Sequence, residues 1–225
     1  MMVADAPERR QSGRPLVLDG VSLTTDRISE SGAGAMTHCF APGLLHIVGG
    51  TSQTGKSALL SVLSLAVPPA QGALWWGEFN LSTLEPSRQA SWRRDKVGLV
   101  RQKNRLVAVM SVREHIRLAA AARGQRDAGA SGLAMLDALG LGARLDCRPG
   151  ELSASEKQRV VIAQALCARP AILLADEPTA ALGQDSAALV AATLRDFART
   201  NDAVVICTSR DLMMLNAADE LLMLE

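Results

Sequence analysis

Gly50-Thr51-Ser52-Gln53-Thr54-Gly55-Lys56-Ser57 fits the pattern G-x-x-x-x-G-K-[ST], which constrains the local fold more than any other stretch of the chain. Leu44-Leu45-His46-Ile47-Val48 before it predicts a buried strand, and Ala58 to Leu63 after it predicts an apolar helix. In a strand, Gly-rich turn and helix, successive backbone N–H groups and the helix N-terminus cradle phosphate oxygens. Lys56 is then expected to reach the outer phosphates and Ser57 to ligate Mg²⁺. The expected nucleotide-binding set is Gly50, Thr51, Ser52, Gln53, Thr54, Gly55, Lys56, Ser57 and Ala58. An ordinary Gly-rich strand-to-helix turn is the competing explanation, and the flanking apolar context argues against it.

At 225 residues the chain can form one domain with a full core, or one domain carrying a small subdomain. A net charge of +1 implies no basic face, so nucleic acid is not an expected partner. Cys39, Cys147, Cys167 and Cys207 show no C-x-x-C spacing, which points to buried thiols rather than zinc or a disulfide frame. Apolar runs such as Val160 to Ala168 are too short to cross a bilayer. Met1 to Arg14 is polar and charged, unlike a secretory signal. The expectation is a soluble protein that reaches any membrane through a partner. His46 sits in an apolar strand, and His38 and His115 have no evident matching ligands, so none of the three is expected to hold a metal.

Along the chain, Pro15 to Thr24 and Thr37 to Phe40 predict short strands, joined by a Ser/Gly-rich loop. The helix after the phosphate loop is expected to stop at Pro68-Pro69. Gly72 to Phe79 predicts a hairpin in which Trp75 and Trp76 alternate between core and surface, and Lys96 to Val100 a strand ending at Arg101-Gln102. Helices are expected around Ser111 to Arg123, Ser131 to Leu139, Ser153 to Ala168 and Asp185 to Thr200, with strands at Ile172 to Leu174 and Val204 to Thr208. The Met-rich end (Met213, Met214, Met223) reads as packing. The fold class is α/β: a P-loop core with a mostly parallel sheet, an antiparallel β portion near the N-terminus and an inserted helical subdomain. The whole chain, 1–225, reads as one domain with core segments 15–102 and 151–225 and the helical subdomain at about 103–150.

Ala171 to Thr179 is an apolar strand ending in the carboxylates Asp176 and Glu177, at the strand end where α/β sheets present ligand-binding groups. Asp176 suits Mg²⁺, and Glu177 can polarise the water that attacks a γ-phosphate. Upstream, Ser153 and Glu156 form an S-x-x-E capping box, which alone is an adequate structural explanation. Read with its neighbours, Leu152-Ser153-Ala154-Ser155-Glu156 resembles the LSGGQ signature of ABC ATPases. The resemblance extends in order over nearly the whole chain: phosphate loop, Gln102, Leu152 to Arg159, Asp176-Glu177, then Thr208-Ser209. Local texture around Arg148 to Ser153 and Ala175 to Thr179 is similar to the lipoprotein-release, macrolide-efflux and cell-division group.

The resemblance implies ATP and Mg²⁺ as ligands, with Ser57, Gln102 and Asp176 around the metal and Glu177, Gln102 and the switch position Ser209 in catalysis. It implies two such chains closing head to tail, as homodimer or heterodimer, so that Ser153 faces the partner's γ-phosphate from a helix N-terminus. It also implies an integral membrane subunit as partner and a peripheral place on the cytoplasmic side of the membrane. Several positions depart from the family pattern. Ala154 and Ser155 replace the signature glycines, Ala180-Ala181-Leu182-Gly183 lacks the D-loop carboxylate, Ser209 replaces a histidine, and the adenine-stacking aromatic falls near Thr25. The expected function is therefore an ATP-hydrolysing subunit that powers an ABC transporter or related envelope machine. The alternative is a poorly hydrolysing, regulatory ATP-binding subunit. ABC ATPases of DNA repair fit poorly, because they insert coiled coils or zinc modules where this chain has a short helical block.

Overall fold

The computed structural model describes residues 13–23, 35–51, 54–102, 106–124 and 128–224. Its centre is an all-parallel sheet in which β6 (Val97–Val100), β7 (Ile172–Asp176), β8 (Val204–Thr208), β3 (Leu45–Gly50) and β9 (Glu220–Leu224) lie in that order. Strand side chains alternate between faces, and here both faces are covered, so the strands read as continuous apolar runs. Leu45, Ile47, Leu173, Ala175, Val205 and Cys207 enter one core, whereas Val48, Ile172, Leu174, Val204 and Ile206 enter a second on the opposite face.

The first core is closed by α3 (Val112–Ala121), α4 (Ala128–Ala138), α5 (Ala154–Cys167) and α6 (Gln184–Asn201), through residues such as Ile116, Leu136, Ile162 and Leu194. The second lies between α1 (Lys56–Leu63) and an antiparallel sheet of β2 (Met36–Phe40), β1 (Leu16–Ser22), β4 (Gln71–Trp76) and β5 (Phe79–Asn80). Trp76 is buried there and Trp75 is half-buried, as strand alternation requires. All five parallel strands run the same way, so the ends of β3, β6, β7 and β8 meet at one edge of the sheet.

The structure departs from the sequence expectations in several places. The helix after the phosphate loop ends at Leu63, not at Pro68-Pro69. Leu65 turns left-handed (φ 56°), Ala66 N–H donates to Ser61 O and Leu65 N–H to Val62 O, a Schellman cap made without glycine. Lys96 belongs not to a strand but to an unforeseen helix, α2 (Pro86–Lys96), which buries no residue fully. It is held by Trp92, set edge-to-face on Trp76 at 6.1 Å between ring centroids, and by Arg93, which donates to Leu65 O at 2.6 Å. Beyond Asp211 lie α7 (Leu212–Ala217) and the edge strand β9; Met214 packs in the core and Met213 is half-buried, but Met223 stands exposed on the edge strand and is not packed as expected. Cys167 and Cys207 are buried as expected, but Cys39 is exposed and Cys147 half-buried. Burial pushes the Cys167 thiol up to about 11 and the Cys207 thiol beyond the ordinary range.

Candidate active site

The site is assembled at the common C-terminal edge of the parallel strands. β3 ends at Gly50, whose φ of 135° excludes other residues without strain; a Cβ there would lie 2.6 Å from Leu224 O. Thr54 Oγ donates to Thr51 O at 3.0 Å, and Gly55, left-handed at φ 85°, turns the chain into α1. Ser52 and Gln53 lie outside the described residues, as does Thr25. Lys56 is nearly buried, and its ammonium donates to Gly50 O at 2.7 Å and to Thr51 O at 2.6 Å. The cation is held against the loop that the sequence assigns to phosphate.

At the next residue of the same helix, Ser57 Oγ donates to Asp176 Oδ2 at 3.2 Å, a contact across 119 positions of sequence. Two hard oxygen donors thus converge at the mouth of the loop, the donor chemistry Mg²⁺ requires. Gln102, exposed just beyond β6, lines a cleft of about 370 Å³ together with Ser57, Arg101 and Asp176. The chain therefore brings Ser57, Gln102 and Asp176 to one hollow from three separate elements.

Thr208 organises the acid pair and was given no role by sequence reasoning. It is fully buried and paired in register with Asp176. Its hydroxyl donates to Asp176 Oδ1 at 2.7 Å and accepts from Glu177 N–H at 3.0 Å. Its position at the end of a parallel strand adjacent to Asp176 is the signal that could have found it. Glu177 itself is left-handed (φ 48°), an uncommon conformation for a residue other than glycine and one that persists where surroundings enforce it. Its carboxylate lies 3.3 Å from Arg210 Nε, an ion pair at the edge of the site.

Ser209 is fully buried; its N–H donates to Val48 O, and its hydroxyl accepts from Asp211 N–H at 3.0 Å. That hydroxyl is engaged in the turn leading into α7. Gly183 starts α6 without a side-chain cap. On the other flank, Ser153 caps α5: its hydroxyl accepts from Glu156 N–H, and Glu156 accepts from Ser153 N–H at 2.8 Å. Hydrogen bonds from the Ser153 backbone and side chain, then from Arg144, bring the Glu156 carboxyl down to about 2. Leu152 is buried beneath the cap, Ala154 opens the helix, and Ser155 Oγ donates to Ser186 Oγ at 3.4 Å. Gln158, one turn further along, donates to Pro178 O at 3.2 Å and ties this helix to the turn after Glu177.

The three histidines do not all stand alone, contrary to the sequence expectation. His38 and His46 gather with Glu220, which strand pairing delivers from β9, a strand absent from the sequence reading. His115 accepts from Val107 N–H and donates to Ser111 O, as a satisfied structural residue.

Known proteins resemble this chain in sequence and fold. A family model described as ABC transporter matches residues 34–180, more than half of the chain. An uncharacterized ABC transporter ATP-binding protein of Mycobacterium bovis is 38% identical over 184 residues, covering 81% of this chain and 56% of that protein. The chain thus spans about half the length of that relative. The lipoprotein-releasing system ATP-binding protein LolD of Colwellia psychrerythraea is 32% identical over 79% of this chain and 69% of its own length. The dimeric structure of the bacterial ABC transporter cassette MJ0796 shares the fold with a TM-score of 0.80, covering 93% of this chain and 94% of that one at 24% identity. The family-model match over more than half of the chain, with the LolD relative, decides membership: this chain belongs to the ABC transporter family as an ATP-binding domain.

Proposed function

We propose that this chain binds Mg-ATP and hydrolyses it to power a transporter or related envelope machine through an integral membrane subunit. The observation that carries the proposal is the hydrogen-bonded cluster of Ser57, Asp176, Thr208 and Glu177 at the mouth of the Lys56 loop. Lys56 would exchange the carbonyls of Gly50 and Thr51 for phosphate oxygens, and α1 would present its N-terminal N–H groups to the same charge. Ser57, Asp176 and Gln102 would hold Mg²⁺, whose charge would draw electron density from the transferring phosphate. Glu177 would orient and polarise the attacking water, its reach set by the left-handed turn and the Thr208 hydroxyl. Ser153, at the exposed N-terminus of α5, would meet the γ-phosphate held by a second ABC chain, so the complete catalyst is a dimer. The segment 103–150 would serve as the helical subdomain beside the membrane partner, which puts the protein peripherally on the cytoplasmic face. Among the relatives, LolD is named for lipoprotein release, and a 34% identical protein of Staphylococcus haemolyticus carries the name putative hemin import ATP-binding protein HrtA.

A second reading, an ATP-gated clamp with little hydrolysis, is favoured by Ser209 being engaged in its own turn and by the Arg210–Glu177 ion pair. Single-turnover hydrolysis in the assembled complex separates the two. Glu177→Gln is expected to abolish phosphate release, lowering the rate by at least about 10²-fold, while ATP stays bound. Equal rates for wild type and variant would remove Glu177 from the mechanism, and negligible wild-type turnover would establish the clamp.

A further inference from the structure

His46 is 1% exposed and stands at the start of β3, on the face that carries Val48 toward the antiparallel sheet. Its Nε2 lies 2.8 Å from Ala41 O. A carbonyl only accepts, so Nε2 carries a proton and Nδ1 points the other way. Nδ1 is buried, makes no hydrogen bond, and lies 3.1 Å from Glu220 Oε2. At that distance the nitrogen and the carboxylate oxygen share either a proton or a metal ion, and a third donor nearby favours the metal. His38, on β2 of the other sheet, brings a third donor, and the ligand atoms of all three residues lie within 4.8 Å of one another.

From these positions we infer that His38, His46 and Glu220 form a binding site for a borderline divalent metal, Zn²⁺ in the first instance, separate from the nucleotide site. Two imidazoles and one carboxylate are a donor set that zinc uses with a fourth position left to water. Ligands about 2.1 Å from a tetrahedral zinc lie roughly 3.4 Å apart, so the His46–Glu220 edge already has the required length. The Glu220 side chain is 43% exposed and free to close the remaining gap toward His38. The Ala41 carbonyl that receives the His46 Nε2 proton is the outer partner that a metal-bound imidazole normally has, fixing its tautomer and orientation.

The site joins three strands from two sheets. His46 and Glu220 pair across β3 and β9, while His38 lies on β2, which pairs only with β1 in the antiparallel sheet. Metal bound here would fasten the antiparallel sheet to the parallel core at the strand end opposite the phosphate loop. His46 and Gly50 are four positions apart on one strand, roughly 13 Å. The role is structural stabilisation of the fold.

The test uses the full chain freed of metal by a chelator and kept free of nucleotide, because ATP itself binds Zn²⁺. Exposed Cys39 adjoins His38 and is replaced throughout by Cys39→Ser, so that a thiol cannot supply the binding. Zn²⁺ at about a hundred times its dissociation constant is expected to raise Tm by roughly 5–10 °C. Calorimetry should give one ion per chain, and Co²⁺ should give the visible absorption of a low-symmetry site without thiolate charge transfer. Both signals should vanish in His38→Ala and in Glu220→Gln. These variants are preferred to His46→Ala, which would open a hole in the second core. A parent protein that gains no stability from Zn²⁺, or a gain that persists in either variant, would overturn the assignment.

Discussion

At the scale of single residues, the site depends on a few polar atoms that each engage more than one partner. Lys56 holds two loop carbonyls, and in our reading it carries phosphate affinity. Lys56→Ala should therefore lose the rise in melting temperature that Mg-ATP gives the wild type, and an equal rise in the variant would refute the phosphate role. Thr208 makes a sharper case, because one buried hydroxyl serves both Asp176 and Glu177 N–H. Thr208→Val keeps the shape and removes the bridge. It should cost about 1 kcal/mol of stability, read from denaturant midpoints, since two half-buried groups each lose one partner and keep another, Ser57 Oγ for Asp176 and Thr208 O for Glu177 N–H. Single-turnover hydrolysis should fall by about 10–10²-fold, because the Asp176 carboxylate and the Glu177 backbone each lose a bond that orients them. Among residues of this kind, Lys56, Ser57, Asp176 and Glu177 are legible in the sequence through their motifs. Thr208 is not, because its role depends on β8 lying next to β7.

At the scale of elements, α5 shows how a local signal and a proposed function share the same atoms. The Ser153–Glu156 capping box satisfies N–H groups at the start of α5 and was readable as S-x-x-E. Ser153→Ala should cost about 1 kcal/mol, measurable by urea unfolding at neutral pH. The Glu156 carboxyl gives that contribution a pH dependence. Its pKa falls from 4.5 to about 2 on folding, so the stabilisation is fully present above pH 4.5, declines as pH drops and is gone below about pH 2. Glu156→Gln should accordingly flatten the acid limb of the stability curve over that window. By contrast, α2 had no such legibility. Its surface is polar nearly all round, and its place is decided by contacts outside the helix, Trp92 to Trp76 and Arg93 to Leu65 O.

At the scale of the whole molecule, Asp219 binds the sheet to the outer helix layer just ahead of β9. Its carboxylate accepts from Leu45 N–H at 3.0 Å, from Arg195 Nε at 2.9 Å and from Arg199 at 3.1 Å. Burial alone would raise its pKa, but the Arg195 hydrogen bond, the Leu45 N–H and the charges of Arg195 and Arg199 outweigh that and lower it. A lowered carboxyl stabilises the fold above its unfolded value of 3.8 and loses that effect as pH falls through the folded value. Asp219→Ala should cost about 2–3 kcal/mol at pH 7, less than a wholly buried pair because both arginines are partly exposed, and the penalty should shrink below pH 3.8. Thermal melts of both proteins from pH 7 to pH 2.5 would measure it. The sequence alone determined the alternating α/β class, the phosphate loop, the acid pair and the S-x-x-E cap, since each is a pattern within a few consecutive residues. Which strands became neighbours was decided only by the tertiary structure. Pairing β9 with β3 brought Glu220 to His46, packing the second sheet brought His38 to both, and the β7–β8 register brought Thr208 to Asp176. Those meetings join residues far apart in the chain, and burial on both faces of the sheet is what brings them about.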